Sequence, residues 1–185
     1  MKQYKTTDEV DFCIVGSGAA GGVVARQLAR AGFSVIVLEH GPWHVNSDFK
    51  HDEFFVNFRG GFTNDFQKVP NTYRVKDSDV AKPSPIAQYA MMVGGSSSHF
   101  TANYWRFPEI EFQQATQLGV PAGSTIADWP ITYADLEPYY TMVEWECGVS
   151  GEAGHTPFEP WRSKPFPMPP LPIKSEGVLL EKAAK

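Results

Sequence analysis

Asp11-Phe12-Cys13-Ile14-Val15-Gly16-Ser17-Gly18-Ala19-Ala20-Gly21 decides the reading of this chain. Asp11 to Val15 is a nearly continuous apolar run, which suits a parallel β-strand covered on both faces. Gly16, Gly18 and Gly21 then follow with GxGxxG spacing. Beyond them the pattern predicts a helix over 19–31, with Ala20, Val24, Leu28 and Ala31 on one face and Gly32 as its terminator. Phe33 to Leu38 is a second β-rich run, and Glu39 lies at its C-terminal end. A strand, a glycine turn, a helix and a second strand ending in an acid form the dinucleotide-binding fingerprint. Gly16 allows the tight turn, Gly18 lets a pyrophosphate approach the backbone, and Gly21 lets helix and strand pack closely. The helix start, Ala19 and Ala20 included, offers N–H groups and a positive dipole to phosphates. Glu39 can accept hydrogen bonds from both adenosine ribose hydroxyls, and its charge disfavours a 2′-phosphate. The motif alone does not separate NAD from FAD, because both present ADP in the same way.

The rest of the composition bounds the function class. A chain of 185 residues is long enough for one ordinary domain with a sizeable core. Its net charge of -5 argues against a nucleic-acid partner, whose phosphates want a basic face. Cys13 and Cys147 form no CxxC pair, which speaks against disulfide-reductase chemistry. Cys13, in its apolar run, is expected to be buried. The N-terminus is short and polar, with no signal peptide and no apolar stretch of membrane-spanning length. A cytoplasmic location is expected, or a periplasmic or membrane-peripheral one if a partner subunit carries the export signal.

Residues 41–85 are irregular and rich in aromatics: Trp43, Phe49, Phe54, Phe55, Phe58, Phe62 and Phe66, with Gly60-Gly61 between. They read as an excursion covering a cofactor. A second glycine loop follows, Gly94-Gly95-Ser96-Ser97-Ser98-His99. Its open N–H groups and small side chains suit the polar edge of a long, flat ligand, and a nicotinamide dehydrogenase needs no such loop here. Thr132 reads as an N-cap, with Asp135 completing a capping box. Leu136, Tyr139, Tyr140, Val143 and Cys147 give the helix that follows an apolar face. Thr156 to Pro172 is Pro-rich and extended, with Phe158, Trp161 and Phe166 placed to pack on their own protein. Ser175 to Lys185 reads as a helix just begun, so the chain looks cut. These features divide it into an incomplete nucleotide-binding domain over 1–150 and a Pro-rich segment over 151–185 that starts the next part.

Taken together, these motifs resemble the glucose-methanol-choline (GMC) oxidoreductase family. Residues 11–41 are similar to its opening FAD segment, Val93-Gly94-Gly95-Ser96-Ser97 to its first signature, and Asp128 to Tyr140 to a later segment. Gly94 to Phe100 followed by Trp105-Arg106-Phe107 looks most like bacterial FAD-dependent glucose, gluconate and sorbitol dehydrogenases. His99-Phe100 stands where many family oxidases carry an asparagine, and pyranose oxidases have a flavin-bonded histidine there. Met91 and Met92 replace a basic residue often found before the glycine pair.

The resemblance implies an α/β, Rossmann-like FAD-binding domain with a parallel βαβ core, loop-rich excursions and the start of a substrate domain. It implies FAD held by Gly16, Ser17, Gly18, Ala19, Ala20, Gly21, Glu39, Gly94, Gly95, Ser96, Ser97 and His99. The implied reaction is oxidation of a sugar or polyol CH–OH, with hydride passing to flavin N5 and a histidine near the family's C-terminus as base. It further implies an external electron acceptor and admits a small or cytochrome subunit as partner. None of His40, His44, His51, His99 and His155 has the setting of that base, so no catalytic residue is assigned and the chain alone is expected to be inactive. Two other readings stay open: an NAD-dependent Rossmann dehydrogenase, and a non-catalytic interaction module using the Pro-rich stretch.

Overall fold

A computed structural model describes residues 4–5, 7–49, 52, 54–55, 61–63, 65, 68–84, 89–100 and 102–185. His51, Phe58, Gly60 and Phe66, named above, lie outside them. Two compact units divide the chain, Met1–Thr101 and Ala102–Lys185. The expected division at residue 150 falls inside the second unit, where Arg162 and Ser163 bond to side chains of a preceding helix.

The first unit is built on a βαβ element: β1 (Phe12–Val15), α1 (Ala19–Arg30) and β2 (Val35–Leu38). β1 and β2 pair in parallel, Phe12 opposite Val35 and Val15 opposite Leu38. Asp11 and Ser34 lock the start of the pair: each side chain accepts the other's backbone N–H, and the Ser34 hydroxyl also donates to Asp11. At the far end the Gly16 N–H donates to the Leu38 carbonyl at 2.7 Å, carrying the register into the loop. A short antiparallel pair, β3 (Thr72–Tyr73) with β4 (Lys82–Pro83), lies beyond.

Two expectations are corrected here. The strand pair is not covered on both faces, since Val15 is 84% exposed and Cys13 is exposed rather than buried. Among the described residues α1 is the helix in substantial contact with it. The contact stripe of α1 is Gly21, Ala25 and Leu28, while Ala20, Val24 and Ala31 are exposed. The cause is the close approach at Gly21. A Cβ there would stand 2.0 Å from the Gly16 carbonyl oxygen and 3.4 Å from Ile14, so the glycine must turn inward.

The second unit holds α2 (Gln114–Leu118), α3 (Tyr133–Cys147) and α4 (Ser175–Ala184). α3 starts as expected: the Thr132 hydroxyl accepts the Asp135 N–H, and Asp135 accepts the Thr132 N–H at 2.8 Å. Its buried side is a correction, being polar. Tyr133, Glu137, Thr141 and Glu144 are buried, whereas Tyr139 is 60% exposed and Cys147 is exposed. Leu136, Tyr140 and Val143 are half-buried and line an open hollow with Tyr104 and Trp105.

Arg106 is what makes a polar buried side stable. All five of its N–H groups reach acceptors at 2.7–3.0 Å, on Glu144, Glu137, Tyr133 and Thr141. Arg162 donates to both Glu144 oxygens at 2.8 Å. Ser163 donates to Glu137 through its N–H at 2.9 Å and its hydroxyl at 3.0 Å. Two cations thus face two anions, and every partner is hydrogen-bonded. Burial alone pushes Glu137 up, but the Ser163 N–H, the Thr141 hydroxyl and Arg106 outweigh it and hold the carboxyl at about 2.

The Pro-rich stretch packs onto this helix. The Trp161 carbonyl accepts from the Tyr133 hydroxyl at 2.6 Å, and the Pro165 carbonyl accepts from the Trp145 indole at 3.1 Å. The Phe166 ring lies 3.7 Å from the Arg162 guanidinium. Phe158, expected to pack, is 80% exposed. Among the described residues no helix is long and apolar enough to cross a membrane.

Removing one member of a buried, hydrogen-bonded ion cluster strands the rest. Arg106→Leu in the full-length protein is expected to cost about 3–5 kcal/mol in stability. Arg106→Lys should recover only part of it, having three donors in place of five. Denaturant midpoints check this; an unchanged midpoint for Arg106→Leu would remove the cluster from its organising role.

Candidate functional site

The expected site residues of the first unit come together around the end of β2. Gly16, at φ +90°, makes the turn out of β1 in a region closed to most side chains. Gly18 caps α1, whose first turn carries no acidic residue and no side-chain cap. A Cβ on Gly16 or Gly18 would meet nothing within 4 Å, so open space adjoins the loop at the helix start. That space and those N–H groups fit a pyrophosphate. Ala19 and Ala20 are exposed beside it.

Glu39 is anchored before any ribose is considered. Its Oε2 accepts the Ser17 N–H at 2.8 Å and the Ser17 hydroxyl at 2.6 Å, and its Oε1 accepts the Gly41 N–H at 2.8 Å. The Ser17 hydroxyl, then the Gly41 and Ser17 N–H groups, hold the carboxyl down at about 2.

The second glycine loop sits directly on the first. Its backbone makes a 3-10 turn over Gly95–Ser98 after Gly94, which has φ +94°. A Cβ on Gly94 would also strike the Ser98 hydroxyl at 2.0 Å. The Gly94 N–H donates to the Ser17 hydroxyl at 2.8 Å, across 77 residues of sequence. A Cβ on Gly95 would lie 3.1 Å from the Gly18 Cα, so the two loops meet backbone to backbone.

Gly41 is a close approach that motif reading passed over. A Cβ there would lie 2.2 Å from the Met92 nitrogen, and Met92 is 1% exposed. The Val93 N–H donates to the Pro42 carbonyl at 3.0 Å, fixing the second loop to the end of β2. The signal was present in the chain: a glycine two residues after Glu39, with unbranched Met91 and Met92 opposite.

Not all expected residues face the same way. The Ser96 hydroxyl accepts the Ala90 N–H at 3.0 Å, so it braces the loop. Ser97 is exposed. His99 is exposed too, with its ring 5.2 Å from Phe62 and 6.2 Å from Phe49, stacked on the latter. His44 contacts the same two rings and lies 3.3 Å from Asp48. The aromatic excursion therefore meets the second loop at His99. His155 pairs with Glu152 on the surface of the second unit.

Comparison with known proteins fits this geometry. The family model "Ketopantoate reductase PanE/ApbA" matches residues 12–87, which takes in the βαβ element and stops before the second loop. The chain is 33% identical to 2-methyl-1,2-propanediol dehydrogenase of Mycolicibacterium austroafricanum, over 80% of this chain and 26% of that protein. It is 28% identical to the Gluconate 2-dehydrogenase flavoprotein of Pantoea cypripedii, over 96% of this chain and 33% of that protein. It is 30% identical to the Fructose dehydrogenase large subunit of Gluconobacter japonicus, over 90% and 32%. The chain thus spans a quarter to a third of the length of these curated relatives, and over most of its own length it is similar to oxidoreductases.

Glu39 generates a pH prediction. Its carboxyl is depressed to about 2 from an ordinary value of 4.5. Its contribution to stability is therefore fully present above about 4.5 and lost as pH falls through about 2. The stability gap between wild type and Glu39→Gln should be widest at neutral pH and close between those values. Urea midpoints at several pH values measure it, and a gap independent of pH would contradict the anchoring.

Proposed function

We propose that this chain is the FAD-binding part of a GMC-type oxidoreductase that oxidises a CH–OH group of a sugar or polyol. The observation that carries the reading is the backbone contact between the two glycine loops, Gly95 against Gly18, with Glu39 anchored beneath them. One loop suffices for an ADP moiety. A second loop seated on it extends the same cradle toward the other half of a longer cofactor. The relatives support this reading, being named as a diol dehydrogenase, a gluconate dehydrogenase flavoprotein and a fructose dehydrogenase subunit.

In this proposal Gly16 to Gly21 and the start of α1 hold the pyrophosphate, and Glu39 takes the adenosine ribose. Gly94, Gly95, Ser96, Ser97 and His99 lie on the flavin side. Bound FAD would supply the two-electron acceptor for hydride from the alcohol carbon. The chain's own contribution is to fix the dinucleotide by N–H donors and one carboxylate. His44 is held beside Asp48, and no proton-abstracting base is assigned among the described residues. The external acceptor and any small or cytochrome subunit belong to the same proposal, as does the domain role of 1–150.

The nicotinamide reading has one supporting observation, the reductase model over residues 12–87. That match covers the part NAD and FAD proteins share and leaves the second loop without a role.

Glu39→Arg in the full-length protein should weaken FAD binding about ten- to a hundredfold, since a charge-assisted hydrogen bond contributes about 1.5–3 kcal/mol. Gly95→Val should also lower flavin content, because a branched side chain at φ +61°, its Cβ 3.1 Å from the Gly18 Cα, pushes the loops apart. Flavin absorbance against protein measures both; wild-type content in both variants would overturn the assignment.

A further inference from the structure

We propose that Ser17 is a positioning residue that seats the second glycine loop on the first, acting through its hydroxyl between Glu39 and Gly94. The inference rests on the FAD reading and deepens it. Ser17 occupies a variable position of the glycine motif, where any small residue satisfies the turn. Here its hydroxyl has two directed bonds. It donates to Glu39 Oε2 at 2.6 Å and accepts the Gly94 N–H at 2.8 Å. A hydroxyl that donates to a carboxylate is a stronger acceptor at the same oxygen. The negative charge at the end of β2 is thereby passed to the N–H of a loop residue remote in sequence.

Among the described residues the Ser17 hydroxyl is the acceptor of the Gly94 N–H. Gly94 has no side chain, and its conformation at φ +94° fixes where its N–H points. Without the Ser17 oxygen a half-buried N–H loses its acceptor. The loop then keeps its seat only through Gly95 on Gly18 and the Val93 to Pro42 bond.

A carboxylate offers about four lone-pair directions, and on Glu39 Ser17 N–H, Ser17 O–H and Gly41 N–H take three. A ribose diol brings two hydroxyl donors. With these three bonds in place one direction is left to the ribose, and the Ser17 hydroxyl keeps its bond to Glu39. Ser17 thus does not add to the ribose site; it competes mildly with it and serves the second loop. A residue of the phosphate loop proper would serve both halves of the cofactor alike.

That difference is measurable. Ser17→Ala and Ser17→Thr are compared with wild type in the full-length protein, freed of cofactor and titrated with FAD and, separately, with ADP. Ser17→Ala should bind FAD about three- to tenfold more weakly, the range of one net hydrogen bond, while ADP affinity holds or rises. In the same cofactor-free proteins, hydrogen exchange at the Gly94 amide should be faster by a similar factor. Ser17→Thr keeps the hydroxyl and should restore both. Equal losses for FAD and ADP, or Gly94 exchange unchanged in Ser17→Ala, would overturn the positioning role while leaving the flavin reading intact. A wild-type protein that takes up no FAD would overturn the flavin reading instead, and Gly94 exchange alone would then decide the role of Ser17.

Discussion

Backbone-to-backbone contact sets the terms for the first unit. At Gly21 the helix meets the turn, at Gly41 the end of β2 meets Met92, and at Gly95 the second loop meets Gly18. At Gly21 and Gly41 the approach is closer than a Cβ allows, and at Gly95 a Cβ would be a tight 3.1 Å from the Gly18 Cα. The hydrogen bonds of Ser17, Glu39 and Gly41 then fix the direction in which these segments meet. Beside Gly16 and Gly18, at the start of α1, the loop adjoins open space, which is the property a phosphate-binding surface needs. The same geometry that holds the unit together therefore shapes the candidate site.

The second unit solves a different problem. Its main helix buries Glu137 and Glu144 rather than its aliphatic residues, and such burial is costly unless every charge is met. Arg106 meets both, and Arg162 with Ser163 ties the Pro-rich stretch to the same carboxylates. The Pro-rich stretch is thereby strapped onto α3 through Trp161, Arg162, Ser163 and Pro165. The apolar side of α3 and the outer face of the β1–β2 pair are left open in the described residues, while the chain spans only a quarter to a third of its relatives.

The βαβ element was legible in the sequence because its signals are local. Glycine spacing, a capped or terminated helix and an acid after a strand each follow from a few neighbouring residues, and the Thr132–Asp135 box is as local as they come. Burial was not legible in the same way. Cys13 and Val15 sit in an apolar run that reads as core, yet exposure depends on what packs over them. The stripe of Tyr133, Glu137, Thr141 and Glu144 has helical spacing and was visible, but polarity argued it outward; only Arg106, 31 positions before Glu137, reverses that. The Ser17–Gly94 bond spans 77 positions and has no periodic trace at all.

The central claim is that two touching glycine loops make a cradle for a flavin dinucleotide and not for a nicotinamide one. The most direct measurement is the identity of the cofactor released on denaturing the purified full-length protein, read by its absorbance and mass. The account predicts FAD, at close to one per chain, or FAD retained on the polypeptide if it is bonded covalently. A nicotinamide dinucleotide in its place would contradict it.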